Sequence, residues 1–127
     1  MSSRMVVLAV ASILSFVACG GGNGGNGDSI EGGDVVVGMY DNRYQYTEIR
    51  IPVGGTVTWV GAGRNPHNAH DAEETWSTQS VFGSPEMLEG DRATLTFDKP
   101  GRYTFFCTFH GNAQGAGMSG VLIVGDE

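Results

Sequence analysis

From Asp34 onward, apolar side chains recur at every second position, in short runs rich in β-branched and aromatic residues and broken by Gly and Pro. That is the pattern of strands, not of helices. Val35-Val36-Val37 opens the series as a buried strand. Tyr46 to Val53 alternates loosely, and Val53-Gly54-Gly55-Thr56 reads as a tight hairpin turn whose glycines supply positive φ. Thr56 to Val60 follows, with Val57 and Trp59 on one face. Arg92 to Phe97 alternates cleanly and directs Ala93, Leu95 and Phe97 inward. Lys99-Pro100-Gly101-Arg102 then puts Pro and Gly at the second and third positions of a type II turn. On the strand that returns from it, Tyr103, Phe105 and Cys107 share a face, so Cys107 points at the core from the strand's end. Val121 to Val124 closes the chain as a strand buried on both faces. Between Gly61 and Gly90 the alternation fades, and this stretch is expected to be loop with one strand near Trp76 to Phe82. Trp59 and Trp76 are core candidates. Six to eight short strands in about 94 residues predict an all-β, two-sheet antiparallel sandwich with its loops gathered at the ends.

The first third of the sequence departs from this pattern. Arg4 followed by the apolar run Met5 to Val17 has the length of a secretory signal and is too short to span a bilayer comfortably. Phe16-Val17-Ala18-Cys19 resembles the lipobox of bacterial and archaeal lipoproteins, in which cleavage precedes a cysteine that receives a lipid; Phe16 departs from the usual aliphatic residue. Gly20 to Gly33, nearly all Gly, Asn and Asp, cannot bury enough apolar surface to fold and is expected to be a flexible tether. The resulting division is a signal peptide over 1–18, a lipidated Cys19 with its tether over 19–33, and one domain over 34–127; an ordinary secretory signal cut near Ala18 is the alternative, and either way the domain is expected to work outside the cytoplasmic membrane. Seven basic against fourteen acidic residues, a formal net charge of −7, disfavour nucleic acid and favour cationic partners.

Only three histidines and two cysteines are present. If Cys19 is lipidated, Cys107 has no partner for a disulfide. Cys107, His110 and Met118 lie on one strand-loop-strand segment, and His67 is the candidate for a second imidazole. Two imidazoles, a thiolate and a weak axial thioether form the ligand set of blue copper centres, soft enough for Cu(I) yet acceptable to Cu(II). Zinc suits the set less well, because structural zinc sites commonly use two or more Cys and rarely a thioether. His70, among acidic residues, is expected to be solvated.

Several segments together resemble the plastocyanin-like cupredoxins, and among them the membrane-tethered, halocyanin-type proteins. They are Val53 to Trp59, Asn65-Pro66-His67-Asn68, Pro100 to Cys107, Cys107-Thr108-Phe109-His110 and Gly117-Met118-Ser119-Gly120. The resemblance implies a Greek-key β-sandwich, one Cu(I)/Cu(II) ion held by His67, Cys107, His110 and Met118, and one-electron transfer. Four protein ligands would leave copper no open position for a substrate, so no enzymatic turnover is expected. The resemblance further implies that the Asn68 side chain braces the neighbourhood of Thr108. The loop of seven residues between His110 and Met118 is longer than that of plastocyanins, which makes Gln114 a reserve axial ligand. The expected partners of the monomer are redox proteins such as c-type cytochromes or oxidase domains, docking transiently near His110. An extracytoplasmic copper carrier is the alternative function.

Overall fold

The computed structural model describes residues 28–126. In chain order these form β1 (Asp28–Glu31), β2 (Asp34–Tyr40), β3 (Arg43–Tyr44), β4 (Tyr46–Ile51), β5 (Gly55–Gly61), β6 (His70–Asp71), the single helical turn α1 (Gln79–Phe82), β7 (Arg92–Phe97), β8 (Gly101–Gly111) and β9 (Gly117–Val124). The expected signal peptide and Cys19 lie outside the described residues. The expected tether is corrected at its far end: Asp28–Glu31 pairs with β4 in parallel, so the last part of the 19–33 segment belongs to the domain. Ile30, half-buried against the core, is the apolar side chain that the Gly-rich composition obscured. No helix among the described residues is long and apolar enough to cross a membrane.

The strands form two layers, ordered β1-β4-β9-β8-β6 and β3-β2-β5-β7. The β-sandwich is as expected, but its sheets are mixed rather than antiparallel. β1/β4, β2/β5 and β4/β9 pair in parallel, whereas β2/β3, β5/β7, β6/β8 and β8/β9 are antiparallel. The reason lies in the connections. The Pro52–Gly55 turn is closed by the Gly55 amide donating to the Pro52 carbonyl at 2.9 Å, and Gly54 adopts the expected positive φ of 87°. Yet β4 and β5 belong to different sheets, so this turn crosses the sandwich instead of closing a hairpin. The same holds for β7 and β8. Gly101 has φ 155° and already pairs with Val124, so Lys99–Arg102 is not a type II turn, which needs φ near +80° at its third position. The Tyr103 hydroxyl pins that corner by donating to the Lys99 carbonyl at 2.8 Å.

Side-chain alternation is observed where it was read most clearly. Val57 and Trp59 face inward from β5, Ala93, Leu95 and Phe97 from β7, and Phe105 and Cys107 from β8. Val36 is the exception to the expected all-buried first strand: it is 48% exposed between buried Val35 and Val37, because β2 has one face on the core and one in water. β9 is buried at Leu122, Ile123 and Val124 and half-buried at Val121. In the 61–90 stretch the expected strand near Trp76 to Phe82 is absent; short β6 and the turn α1 occupy it. Trp59, fully buried, is stacked on Trp76 at 6.0 Å and meets Tyr44 and Phe105 edge-on at 5.7 and 4.9 Å. This aromatic block belongs to the same buried cluster as Cys107.

Candidate metal centre

Cys107 is the last inward-facing residue of regular β8, two positions beyond Phe105, and is both free and fully buried. Beyond it the register with β9 breaks between Phe106 and Gly111, and the departure turns His110 back toward the thiol. His67 arrives from the opposite direction, on the long connection between β5 and β6. It is anchored there by a two-way antiparallel bridge with Met87, both bonds 3.1 Å long. The consequence is a convergent triad. Cys107 Sγ lies 3.8 Å from His67 Nδ1 and 3.7 Å from His110 Nδ1. The three ligand atoms all fall within 4.8 Å of one another.

These separations suit a shared metal better than thiol hydrogen bonds. A divalent ion about 2.3 Å from sulfur and about 2.0 Å from nitrogen, with trigonal equatorial angles, spaces S and N by about 3.7 Å. His67 is fully buried and His110 partly so, leaving the second imidazole as the ligand nearest solvent. Met118, the second residue of β9, is 1% exposed and belongs to the same buried cluster as Cys107. Its backbone packs directly on Gly111, where an added Cβ would lie 2.5 Å from the Met118 carbonyl oxygen. Gln114, the reserve axial candidate, is exposed.

The long His110–Met118 loop is internally tied. Asn112 Oδ1 accepts the amides of Gln114 and Ala116 at 3.0 and 3.2 Å, the Asn112 amide donates to the Ala116 carbonyl, and the Ser119 hydroxyl donates to Gly115 O at 2.8 Å. Gly115 and Gly117 take positive φ of 87° and 71°, which only glycine adopts readily.

The predicted brace at Asn68 is present in full. Its Oδ1 accepts the Thr108 amide at 2.9 Å, and its Nδ2 donates to Thr108 Oγ1 at 2.8 Å and to the Pro85 carbonyl at 2.9 Å. One side chain therefore ties the His67 loop to the residue after Cys107. Its carbonyl accepts from the buried Tyr44 hydroxyl at 2.7 Å. Burial, with the neighbouring Cys107 charge second, pushes the Tyr44 pKa well above the ordinary phenol value and keeps it a donor.

Sequence reasoning missed Asp41. Its Oδ1 lies 2.9 Å from His67 Nε2 and accepts the Asn65 amide at 3.0 Å, while Oδ2 accepts the Arg64 amide at 3.2 Å. The hydrogen bond from His67, then those from the two amides, lower its pKa from 3.8 to about 2. In the sequence Asp41-Asn42 reads as turn chemistry, and Asn42 does adopt a positive φ of 71°. His70 sits elsewhere, half-buried against the Phe106 ring at 5.6 Å, and takes no part. Among the described residues His67, Cys107 and His110 form the cluster that could hold a metal ion.

Comparison with known proteins points to copper. The family model for copper binding proteins of the plastocyanin/azurin family matches residues 34–125. Amicyanin of Paracoccus denitrificans is 33% identical over 78 residues, 61% of this chain and 59% of that protein. The chain thus matches less than two thirds of that relative's length. Plastocyanin of Scenedesmus fuscus is 31% identical over 86 residues, 64% of this chain and 85% of its own. Among solved structures, an oxidised amicyanin variant superposes with a TM-score of 0.57 at 28% identity, covering 73% of this chain and 83% of that one. A copper-containing nitrite reductase from Thermus scotoductus SA-01 does so with a TM-score of 0.59 at 25% identity, over 73% of this chain and 22% of that one.

Proposed function

Because the chain belongs to the plastocyanin/azurin family of copper-binding proteins, we propose that it is a type 1 copper protein carrying single electrons between redox partners outside the cytoplasmic membrane. The observation that carries the reading is the pair of imidazole nitrogens 3.8 and 3.7 Å from one buried, unpaired thiol. His67, Cys107 and His110 would hold copper, with Met118 as the fourth donor; the burial of Met118, against the exposure of Gln114, supports that choice. Copper bound there supplies a one-electron Cu(II)/Cu(I) couple. The polypeptide holds the donors still. Asn68 and the Met87 bridge fix the His67 loop against Thr108, so little rearrangement accompanies a change of oxidation state. The same bracing opposes the copper-carrier reading, in which ligands must open to hand over the ion. Four protein ligands also leave no position for a substrate, which favours a carrier of electrons over an enzyme.

His110 is the exit for the electron in this reading. It is only partly buried, and Gly111, Ala113, Gly115, Ala116 and Gly117 beside it are small enough for another protein to approach the imidazole edge. Excess acidic charge would steer a basic partner such as a c-type cytochrome into a small, transient encounter. Stopped-flow oxidation of the reduced protein by a basic cytochrome tests function and steering together. The bimolecular rate is expected to fall by tenfold or more as ionic strength rises from about 0.01 to about 0.15 M, because the screening length shrinks from about 30 to about 8 Å. A salt-independent rate sinks the steering, and no transfer at any salt sinks the electron-carrier reading.

The N-terminal sequence supports attachment to the outer face of the membrane through a lipid on Cys19 after removal of residues 1–18, with residues 20–27 as leash. Mass analysis of the full chain expressed in its membrane fraction is expected to show a mature protein beginning at Cys19 with a diacylglyceryl addition. A soluble, unmodified mature chain overturns the anchor.

A further inference from the structure

The structure joins to the metal centre a residue that no motif marks. His67 is fully buried, so its second nitrogen has no access to water, and the Asp41 carboxylate meets it at 2.9 Å. Asp41 cannot swing freely. It sits on the β2–β3 turn, its two oxygens take the amides of Arg64 and Asn65, and its backbone and side chain press against Gly63. A Cβ at Gly63 would lie 2.7 Å from the Asp41 nitrogen and 2.9 Å from its Cγ, so glycine at 63 is what allows the approach. Two segments far apart in the chain are thereby built around one carboxylate-imidazole contact.

We propose that Asp41 is a positioning residue for the copper centre: it holds His67 with the proton on Nε2, aims Nδ1 at Cys107, and sets a negative charge one imidazole ring from the metal. The proposal rests on the copper reading given above. A carboxylate accepting from the far nitrogen of a ligating histidine fixes the tautomer and makes the ligand more basic. Extra negative charge favours Cu(II) over Cu(I), so the carboxylate lowers the reduction potential below what a neutral acceptor would give. Partial exposure of the Asp41 side chain, 34%, attenuates the effect without abolishing it.

The test compares wild type with Asp41→Asn in the copper-loaded domain. Asparagine keeps one oxygen, which in the Oδ1 position still accepts from His67 Nε2 and the Asn65 amide; it gives up the acceptor of the Arg64 amide and carries no charge. Cu(II) affinity by chelator competition is expected to fall about 10–100-fold. Cu(I) affinity should change less, and a tenfold difference between the two raises the potential by about 59 mV in spectroelectrochemical titration. Should Asp41→Asn fail to fold, Asp41→Ser, with a small uncharged acceptor, serves for the same measurement. A lower melting temperature with unchanged potential and Cu(II) affinity would make Asp41 merely a staple of the 63–65 loop and overturn the proposal. Absence of an intense blue band in the wild-type protein instead sinks the type 1 reading and this proposal with it; a blue wild type with an unshifted variant sinks only the role of Asp41.

Discussion

Replacing Cys107 by serine is expected to abolish the intense blue absorption and the narrow copper hyperfine splitting of the Cu(II) protein. The sulfur is the one donor that both nitrogens converge upon, at 3.8 and 3.7 Å. A thiolate is soft, covalent and ionised by the metal itself; a serine hydroxyl at the same place is hard and stays protonated. The two imidazoles would survive the substitution, so a pale complex of lower affinity remains. The affinity loss should exceed the 10–100-fold typical of losing an outer partner of a ligand, since a direct donor is removed. Absorption and electron paramagnetic resonance spectra after addition of one equivalent of Cu(II), recorded for both proteins, check this. Retention of the blue band in the variant would remove Cys107 from the centre and leave it a packed thiol.

Trp59→Ala is expected to cost the copper-free domain about 3–5 kcal/mol, the range for truncating a buried aromatic. Trp59 is fully buried, with Tyr44 and Phe105 against its edges and Trp76 stacked on its face, so no neighbour can close the void without leaving its own partners. At about 4–8 °C per kcal/mol for a domain of this size, the melting temperature should drop by more than about 12 °C. Denaturant or thermal unfolding is read without copper, because a bound ion stabilises the folded state by mass action and would mask part of the loss. A cost below about 1 kcal/mol would mean that the block repacks and that Trp59 does not anchor the core. The one polar atom of that ring is also informative: Trp59 Nε1 is buried without a hydrogen-bond partner, so the ring is held by packing alone.

Strand positions with strict alternation were legible because one face of each is dry. Ala93, Leu95 and Phe97 on β7 and Val57 and Trp59 on β5 face inward as read. The turn glycine at 54 was legible from steric freedom, but the destination of the turn was not: a chain that reverses direction can pair with the strand it left or cross to the other layer, and the local residues are the same in both cases. That choice made the sheets mixed. β1 escaped notice for a related reason, since a four-residue strand with one half-buried side chain, Ile30, gains its stability from β4 and not from its own composition. The stretch holding α1 is equally silent, having no period to read.

The centre divides along the same line. Chain order alone brings Cys107, His110 and Met118 together, because a strand end and a seven-residue loop cannot carry them far apart, and the softness of sulfur beside imidazole names the metal. His67 and Asn68 could be picked out from the sequence, His67 as the imidazole left once His70, set among acidic residues, is put aside. The Asn68–Thr108 tie was implied by the resemblance, but only the folded chain sets that imidazole 3.8 Å from the thiol and brings Asp41 to the far nitrogen of His67. Donor chemistry is a property of residues and can be read in one dimension. Donor spacing, tautomer and the charge behind the ligand depend on contacts between residues 26 and 40 positions apart. Those exist only once the two sheets have packed.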